Sequence, residues 1–362
     1  MNITLVAGAR PNFIKIAPII EAIHNKQTEG VLLNYRLVHT GQHYDESLSG
    51  AFFKELSIPA PHVNLGVGSG SQAEQTAAIM IGFEKELQEN PCDVVLVVGD
   101  VTSTMACAIV AKKAHVKVAH VEAGIRSGDL TMPEEINRIV TDSLTDYFFT
   151  TSEYANENLI QLGVDTHKIF FVGNVMIDTL RKHECRFKKP PLWDDLKLKN
   201  KNYLVMTLHR PSNVDSEQLL KKLIEQIVNL SKGYPIIFPV HPRTQKLLNG
   251  LHLNSENIYY VNPLGYLEFN YLVKHALAII TDSGGITEEA TVMDIPCITL
   301  RNTTERPETC SIGTNVLVGN DSKKINKAFK ALFSGTWKKG SIPQLWDGHT
   351  AERIVNHLIS IV

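Results

Sequence analysis

Cysteine is scarce: 362 residues hold five, none of them in a CxxC pair, and the number is odd. Cys92, Cys107, Cys185, Cys297 and Cys310 therefore read as reduced thiols, not as a disulfide framework. Cys107 and Cys297 lie in apolar segments and read as small core residues. Neither sign of charge is in excess. The formal net charge of −2 gives no general drive toward nucleic acid or a membrane surface, so any bound anion must be held by local groups. No apolar run approaches the roughly 20 residues that span a bilayer. The opening MNITLVAGARPNF lacks a basic segment ahead of its short apolar run, so it does not read as a signal peptide. Cytoplasmic residence is the expectation. The 14 histidines show neither HExxH nor Cys/His finger spacing, and no metal is expected. A GxSxG elbow and a P-loop are also missing, which removes the parts that define Ser/His hydrolases and ATPases.

What is present is the composition of an ordinary globular chain, 43% hydrophobic and 20% charged, long enough for two domains. Short β-branched runs alternate with helical patterns. Strands are expected at Ile3–Ala7, Tyr35–His39, Val94–Val98, Val118–Val121, Tyr147–Thr150 and Ile169–Val172. Several are apolar throughout, as parallel strands covered on both faces are. Amphipathic segments such as Gln75–Leu87 and Glu134–Leu144 lie between them. Arg181–Asn202, charged and carrying Pro190–Pro191, breaks the rhythm and reads as loop-rich. The rhythm restarts at Tyr203–Leu208 and continues through Pro235–Pro239, Ile258–Val261, Ala278–Thr281, Cys297–Leu300 and Asn315–Val318. The fold class is α/β: two Rossmann-like domains facing a central cleft. They are expected over residues 1–172 and 173–349, with a final amphipathic helix from about 350 to 362.

In open parallel sheets ligands bind beyond the carboxyl ends of strands, so polar residues there are the candidates. Thr281–Glu289 (TDSGGITEE) runs from a strand into a helix start. Ser283 is placed to cap that helix, and Gly284 and Gly285 allow close backbone approach. Free N–H groups and the helix dipole there suit a diphosphate, and Glu289 suits the ribose hydroxyls. The competing Gly66-Val67-Gly68-Ser69-Gly70 has its third glycine too early for GxGxxG and reads as a loop, so a dinucleotide dehydrogenase has little support. Arg10 and Lys15 follow the first strand, with Pro11 suited to the first helical turn. Asp100 and Glu122 end two further strands. Glu134 has a structural alternative, because Thr131-x-x-Glu134 is a capping box and Arg138 stands one turn on. Asp100 has one as well, capping a helix near Thr102. In the second half His209 and Arg210 follow a strand and suit a diphosphate. His241 is similar, and Arg306 adds a cation after a later strand.

These segments, taken in order, are similar to the motifs of the non-hydrolysing UDP-N-acetylglucosamine 2-epimerases. They comprise GARPNFIKIAP from Gly8, HTGQHYD from His39, VVGDVTST from Val97, HVEAGIRSGDLTMPEEINR from His120, VGNVMIDTL from Val172, TLHRPSNV from Thr207, FPVHPRT from Phe238, TDSGGITEE from Thr281 and TERPE from Thr304. The resemblance runs nearly the whole length. It implies the glycosyltransferase-B architecture, a homodimer and a C-terminal helix crossing back to the first domain. On matching positions it implies Asp100, Glu122, Glu134 and His209 as catalytic residues. It implies Arg10, Lys15, Arg210, Ser283, Gly284, Gly285, Glu289 and Arg306 as substrate-binding residues, with no cofactor. Three positions depart from the pattern. Asn12 stands where many bacterial relatives have Glu. Gln42–Glu46 keeps the Gln-His pair of the allosteric branch but not the pattern after that pair. Leu264-Gly265-Tyr266 replaces a polar turn.

The implied reaction interconverts UDP-N-acetylglucosamine and UDP-N-acetylmannosamine. The hydrogen at C2 is not next to a carbonyl, so simple deprotonation would leave an unstabilised carbanion. Elimination of UDP to a 2-acetamidoglucal, followed by re-addition, avoids it. Three other readings share the nucleotide site: a UDP-2,3-diacetamido uronic acid 2-epimerase, a UDP-sugar glycosyltransferase and a hydrolysing epimerase. A non-catalytic sensor is a fourth. The expected partner is a UDP-sugar, with no nucleic acid and no membrane.

Overall fold

The computed structural model describes residues 1–41, 53, 55–240, 248 and 255–361. Gln42–Glu46 and His241 lie outside the described residues. The chain divides into two compact units, Met1–Lys182 with Gln344–Val362, and His183–Pro343.

The first unit is built on β1 (Asn2–Ala7), β2 (Asn34–His39), β3 (Val63–Asn64), β4 (Val94–Val98), β5 (Lys117–Val121), β6 (Tyr147–Thr150) and β7 (Ile169–Phe171). They form one parallel sheet in the order β3-β2-β1-β4-β5-β6-β7. The second unit repeats the plan with β8 (Leu204–Thr207), β9 (Ile236–Pro239), β10 (Ile258–Val261), β11 (Ala278–Thr281), β12 (Cys297–Thr299) and β13 (Asn315–Leu317). Their order is β10-β9-β8-β11-β12-β13, again parallel. The strand order reverses between β1 and β4 and between β8 and β11. Connections leave in opposite directions there, and a crevice opens at the carboxyl ends. These are the two parallel-sheet α/β domains expected from the alternating pattern.

Side-chain alternation explains the apolar runs. Leu204, Met206, Ile236, Phe238, Ile280 and Ile298 face a core closed by Leu223, Ile224, Ile227 and Phe329 from the helices Glu217–Leu230 and Ser322–Phe333. Val205 and Ile237 point to the other face with Leu272; Ile279 and Cys297 do so with Val273 and Ala290. Both faces are covered, so strands such as Val94–Val98, all five residues buried, carry no polar alternation.

The stretch expected to be loop-rich is more ordered than its composition suggests. It holds the end of the helix Val175–His183 and the short helix Leu192–Asp195. Trp193 packs edge-on against Tyr203 and Tyr271, and that burial offsets the unfavourable local sequence. The final helix, Thr350–Ile361, belongs to the first unit and packs on the helix Arg10–Thr28. Asp178 caps it, accepting from the Thr350 and Ala351 N–H groups at 3.1 and 2.6 Å. Burial pushes the Asp178 carboxyl up to about 6 against the pull of those bonds. Trp346, 1% exposed, donates its indole N–H to the Thr151 carbonyl at 3.0 Å. Among the described residues no helix is long and apolar enough to cross a membrane.

Candidate active site

The first cluster forms where β1, β4 and β5 end side by side. Arg10 opens the helix after β1, with Pro11 in its first turn. Asn12 is buried, and its role is architectural: Oδ1 accepts from the Gly8 and Ala9 N–H groups at 3.1 Å each, and Nδ2 donates to the Val98 carbonyl at 2.9 Å. One side chain thus ties the turn after β1 to the end of β4. Lys15 reaches Glu122 at 2.7 Å, with only 12% and 4% of the two side chains exposed. Lys15 is therefore not a solvated helix residue; it balances a buried carboxylate. Gly99 has φ +67, and a Cβ there would lie 3.1 Å from Lys15 Nζ. A side chain there would be strained by the backbone and would crowd that ion pair, which favours glycine. Glu122 itself has φ +70. Strain of this kind in a non-glycine residue persists where surrounding structure over-determines it, and it gathers at functional sites.

The two structural alternatives for Glu134 fail. Its helix runs Pro133–Leu144 with Met132 at the N-cap and no side-chain capping bond. Thr131 instead donates to Asp129 Oδ1 at 2.6 Å. Arg138 pairs with Glu135 at 3.1 Å and with Asp100 at 3.0 Å, not with Glu134. The Glu134 carboxylate, half-buried, has no hydrogen-bond or ion-pair partner among the described residues. Asp100 is not a cap either, because the helix Thr102–Lys113 starts after Val101 with no side-chain cap.

Several supporting residues gave no local signal. Glu135 accepts from the Ser127 and Gly128 N–H groups at 2.9 and 3.0 Å and so shapes the loop after β5. Asp142 accepts from His120 Nδ1 and Arg126 Nη1, both at 2.7 Å, and from the Gly124 N–H at 3.1 Å. Burial works against its ionisation, but His120 and Arg126 outweigh burial and hold the carboxyl below the ordinary value. His120 also bonds the Gly99 carbonyl at 2.8 Å. The turn carrying Asp100 is thereby locked to the strand carrying Glu122.

The second cluster lies at the ends of β8, β11 and β12. Asp282 is fully buried and accepts from four groups of the preceding segment: the His209 N–H at 3.1 Å, the Arg210 N–H at 3.0 Å, Asn213 Nδ2 at 3.0 Å and His209 Nδ1 at 2.8 Å. Burial alone would raise its carboxyl; the His209 bond and charge, with Asn213 and Arg210, overcome this and keep it low. An ionised carboxylate accepts, so Nδ1 carries a proton, which fixes the orientation of a ring that is 52% exposed. The strand-end rule marked His209 but passed over Asp282, which stands in the TDSGGITEE motif.

Ser283 occupies the N-cap of the helix Gly284–Val292, yet its hydroxyl makes no capping bond there, contrary to expectation. Glu289 is buried, with Oε1 2.8 Å from the Tyr266 hydroxyl. Burial pushes it up to about 7, partly offset by Tyr266 and Asn270. Arg306 is buried and ion-paired with Glu288. Arg210 donates from Nε to the Asp282 carbonyl at 3.1 Å and from Nη2 to Glu305 at 3.3 Å. Among the described residues no group of three or more His, Cys, Asp or Glu side chains is placed to hold a metal ion.

Comparison with known proteins identifies the family. The model of the UDP-N-acetylglucosamine 2-epimerase family matches residues 26–359. The UDP-N-acetylglucosamine 2-epimerase of Methanocaldococcus jannaschii is 41% identical over 370 residues, covering 99% of each chain. The UDP-2,3-diacetamido-2,3-dideoxy-D-glucuronate 2-epimerase of Pseudomonas aeruginosa is 36% identical over 366 residues, covering all of both. The crystal structure of the M. jannaschii enzyme with UDP-GlcNAc and UDP is similar to this one with a TM-score of 0.88, over 99% of this chain and 100% of that one. The ordered motifs, the two doubly wound sheets and these full-length matches place the chain in the UDP-N-acetylglucosamine 2-epimerase family.

Proposed function

We propose that the protein interconverts UDP-N-acetylglucosamine and UDP-N-acetylmannosamine by eliminating UDP across C1–C2 and adding it back. The observation that carries this is the set of carboxylates at neighbouring strand ends of the first unit, present alongside a glycine-rich helix start in the second. A transferase on the same scaffold needs the nucleotide site but has less use for internal proton carriers. In this reading Asp100, Glu122 and Glu134 move protons at C2, with Lys15 balancing Glu122. In the second unit His209, oriented by Asp282, meets the departing phosphate oxygen with Arg210, while Ser283, Gly284, Gly285, Glu289 and Arg306 hold UDP. In the forward step the C2–H electron pair becomes the C1–C2 double bond as the C1–O bond breaks. The proton goes to a carboxylate and the bond electrons leave with UDP.

Purified protein incubated with UDP-N-acetylglucosamine in heavy water tests this directly. UDP-N-acetylmannosamine carrying deuterium at C2 is expected by NMR, with traces of UDP and the glycal accumulating as these intermediates escape before re-addition. Epimerisation that retains the C2 hydrogen would overturn the mechanism, and no turnover without an added acceptor sugar would favour a transferase. Running the uronate substrate in parallel decides the sugar; the higher identity to the N-acetylglucosamine enzyme supports the unsubstituted substrate.

Glu289 makes nucleotide binding pH-dependent. Its carboxyl sits at about 7, above the ordinary value. The protonated form favours the folded state, and that contribution is lost as pH rises through about 7. Only the ionised form accepts from both ribose hydroxyls. UDP affinity is therefore expected to rise between pH 6 and 8 beyond the change due to UDP itself. Glu289→Gln should flatten that excess, as measured by calorimetry at each pH.

The homodimer belongs to the same proposal. Exposed Ile136 lines a shallow apolar groove with Met80, Met105 and Pro133. Sedimentation equilibrium is expected to give twice the 40.3 kDa chain mass, and Ile136→Asp to shift it toward one. A wild-type mass of one chain would refute the dimer. A cytoplasmic location is part of this proposal as well, supported by the five free cysteines.

A further inference from the structure

We infer that Arg301, a residue outside every motif singled out in the sequence, donates directly to the nucleotide's diphosphate at the start of the helix Gly284–Val292. The inference rests on the UDP-binding reading above.

Arg301 follows β12, the neighbour of β11, so its side chain starts from the strand end adjoining the Asp-Ser-Gly-Gly turn. Only 5% of that side chain is exposed. Nη1 donates to Glu305 Oε2 at 2.6 Å, whereas Nη2 is buried and has no hydrogen-bond partner among the described residues. A buried charged donor left unsatisfied is costly, and in native structures a water, an ion or a ligand completes it. The guanidinium lies over the first residue of the helix: a Cβ built on Gly284 would sit 3.8 Å from Arg301 Nη1 and 4.0 Å from Glu305 Oε2. That helix start has no side-chain cap and no acidic residue in its first turn, so nothing from its own side chains offsets the positive end of the helix.

The neighbouring cations are committed elsewhere. Arg306 pairs with Glu288, and Arg210 spans the Asp282 carbonyl and Glu305. Burial disfavours an ionised Glu305, but Arg301 and then Arg210 outweigh it and hold the carboxyl at about 2. Glu305 therefore stays charged, offsets one of the two arginines and clamps both. Arg301 thus keeps an uncommitted charged N–H donor beside a helix N-terminus, which matches an anionic diphosphate and not a neutral sugar. Planar, forked Arg301 can bind Glu305 with one nitrogen and a phosphate oxygen with the other.

The test compares UDP with uridine, which lacks the phosphates, on the full chain by calorimetry and ligand-observed NMR. Arg301→Gln is expected to weaken UDP by about ten- to a hundredfold and to leave uridine unchanged. Arg301→Lys keeps the charge but not the fork, and is expected to fall between the two; it also serves if Arg301→Gln does not fold. Unchanged UDP affinity in either folded variant overturns the inference. So does an equal loss for UDP and uridine, which would make Arg301 a scaffold residue. A wild-type protein that binds no UDP would instead remove the nucleotide reading itself.

Discussion

Glu134→Gln is expected to cut epimerisation by about a hundred- to ten-thousandfold while leaving the melting temperature where it is. The structure makes this a clean substitution. Glu134 caps nothing, because the N-cap of its helix is Met132 with no side-chain bond. It does not pair with Arg138, whose partners are Glu135 and Asp100. Gln keeps the shape and removes only the ability to carry a proton as a carboxylate does. The neighbouring Glu135→Gln is the informative contrast. Glu135 is buried, bonds Arg138 and holds Ser127 and Gly128. It should lose stability as well as turnover, by about 3–5 kcal/mol for a broken buried pair. Turnover assays and thermal melts on the two variants separate the roles. Full activity in Glu134→Gln would remove it from the proposed catalytic set.

The second large effect is expected at the His209–Asp282 pair, and its two halves should fail differently. His209→Asn should fold normally, since the ring is half exposed, and should lose turnover by about a hundred- to ten-thousandfold as the leaving phosphate loses its proton donor. Asp282→Ala should lose stability first. It deletes a fully buried carboxylate that accepts from His209, Arg210 and Asn213 and ties the segment after β8 to the end of β11. Its cost is expected at about 3–5 kcal/mol, read as a lower urea midpoint. A stable Asp282→Ala, or an active His209→Asn, would break the assignment of the pair.

Much of this was legible from local pattern. Apolar runs of β-branched residues marked twelve of the strands, because parallel strands covered on both faces cannot hide their composition. Among the described residues only the two-residue β3 escaped. A polar residue directly after such a run sits at a carboxyl edge whatever the rest of the fold does, so Asp100, Glu122 and His209 were placed without coordinates. The Thr350–Ile361 helix was likewise visible in its amphipathic pattern. Local pattern could not choose between adjacent acids. Glu134 and Glu135 are consecutive on a helix turning about 100° per residue, and only the packing of Pro133–Leu144 sends one to Arg138 and leaves the other without a partner among the described residues. Nor could it choose between Arg301 and Arg306, both shortly after β12; Glu288 on the Gly284–Val292 helix engages one, and Glu305 positions the other. The bonds that shape the sites join residues far apart in the chain: Lys15 to Glu122, Tyr266 to Glu289, Asp178 to the amides of Thr350 and Ala351. Helix and strand periodicity is a property of a few consecutive residues. These partners are brought together by strand order and by helices packing across the sheets, which no short window of sequence contains.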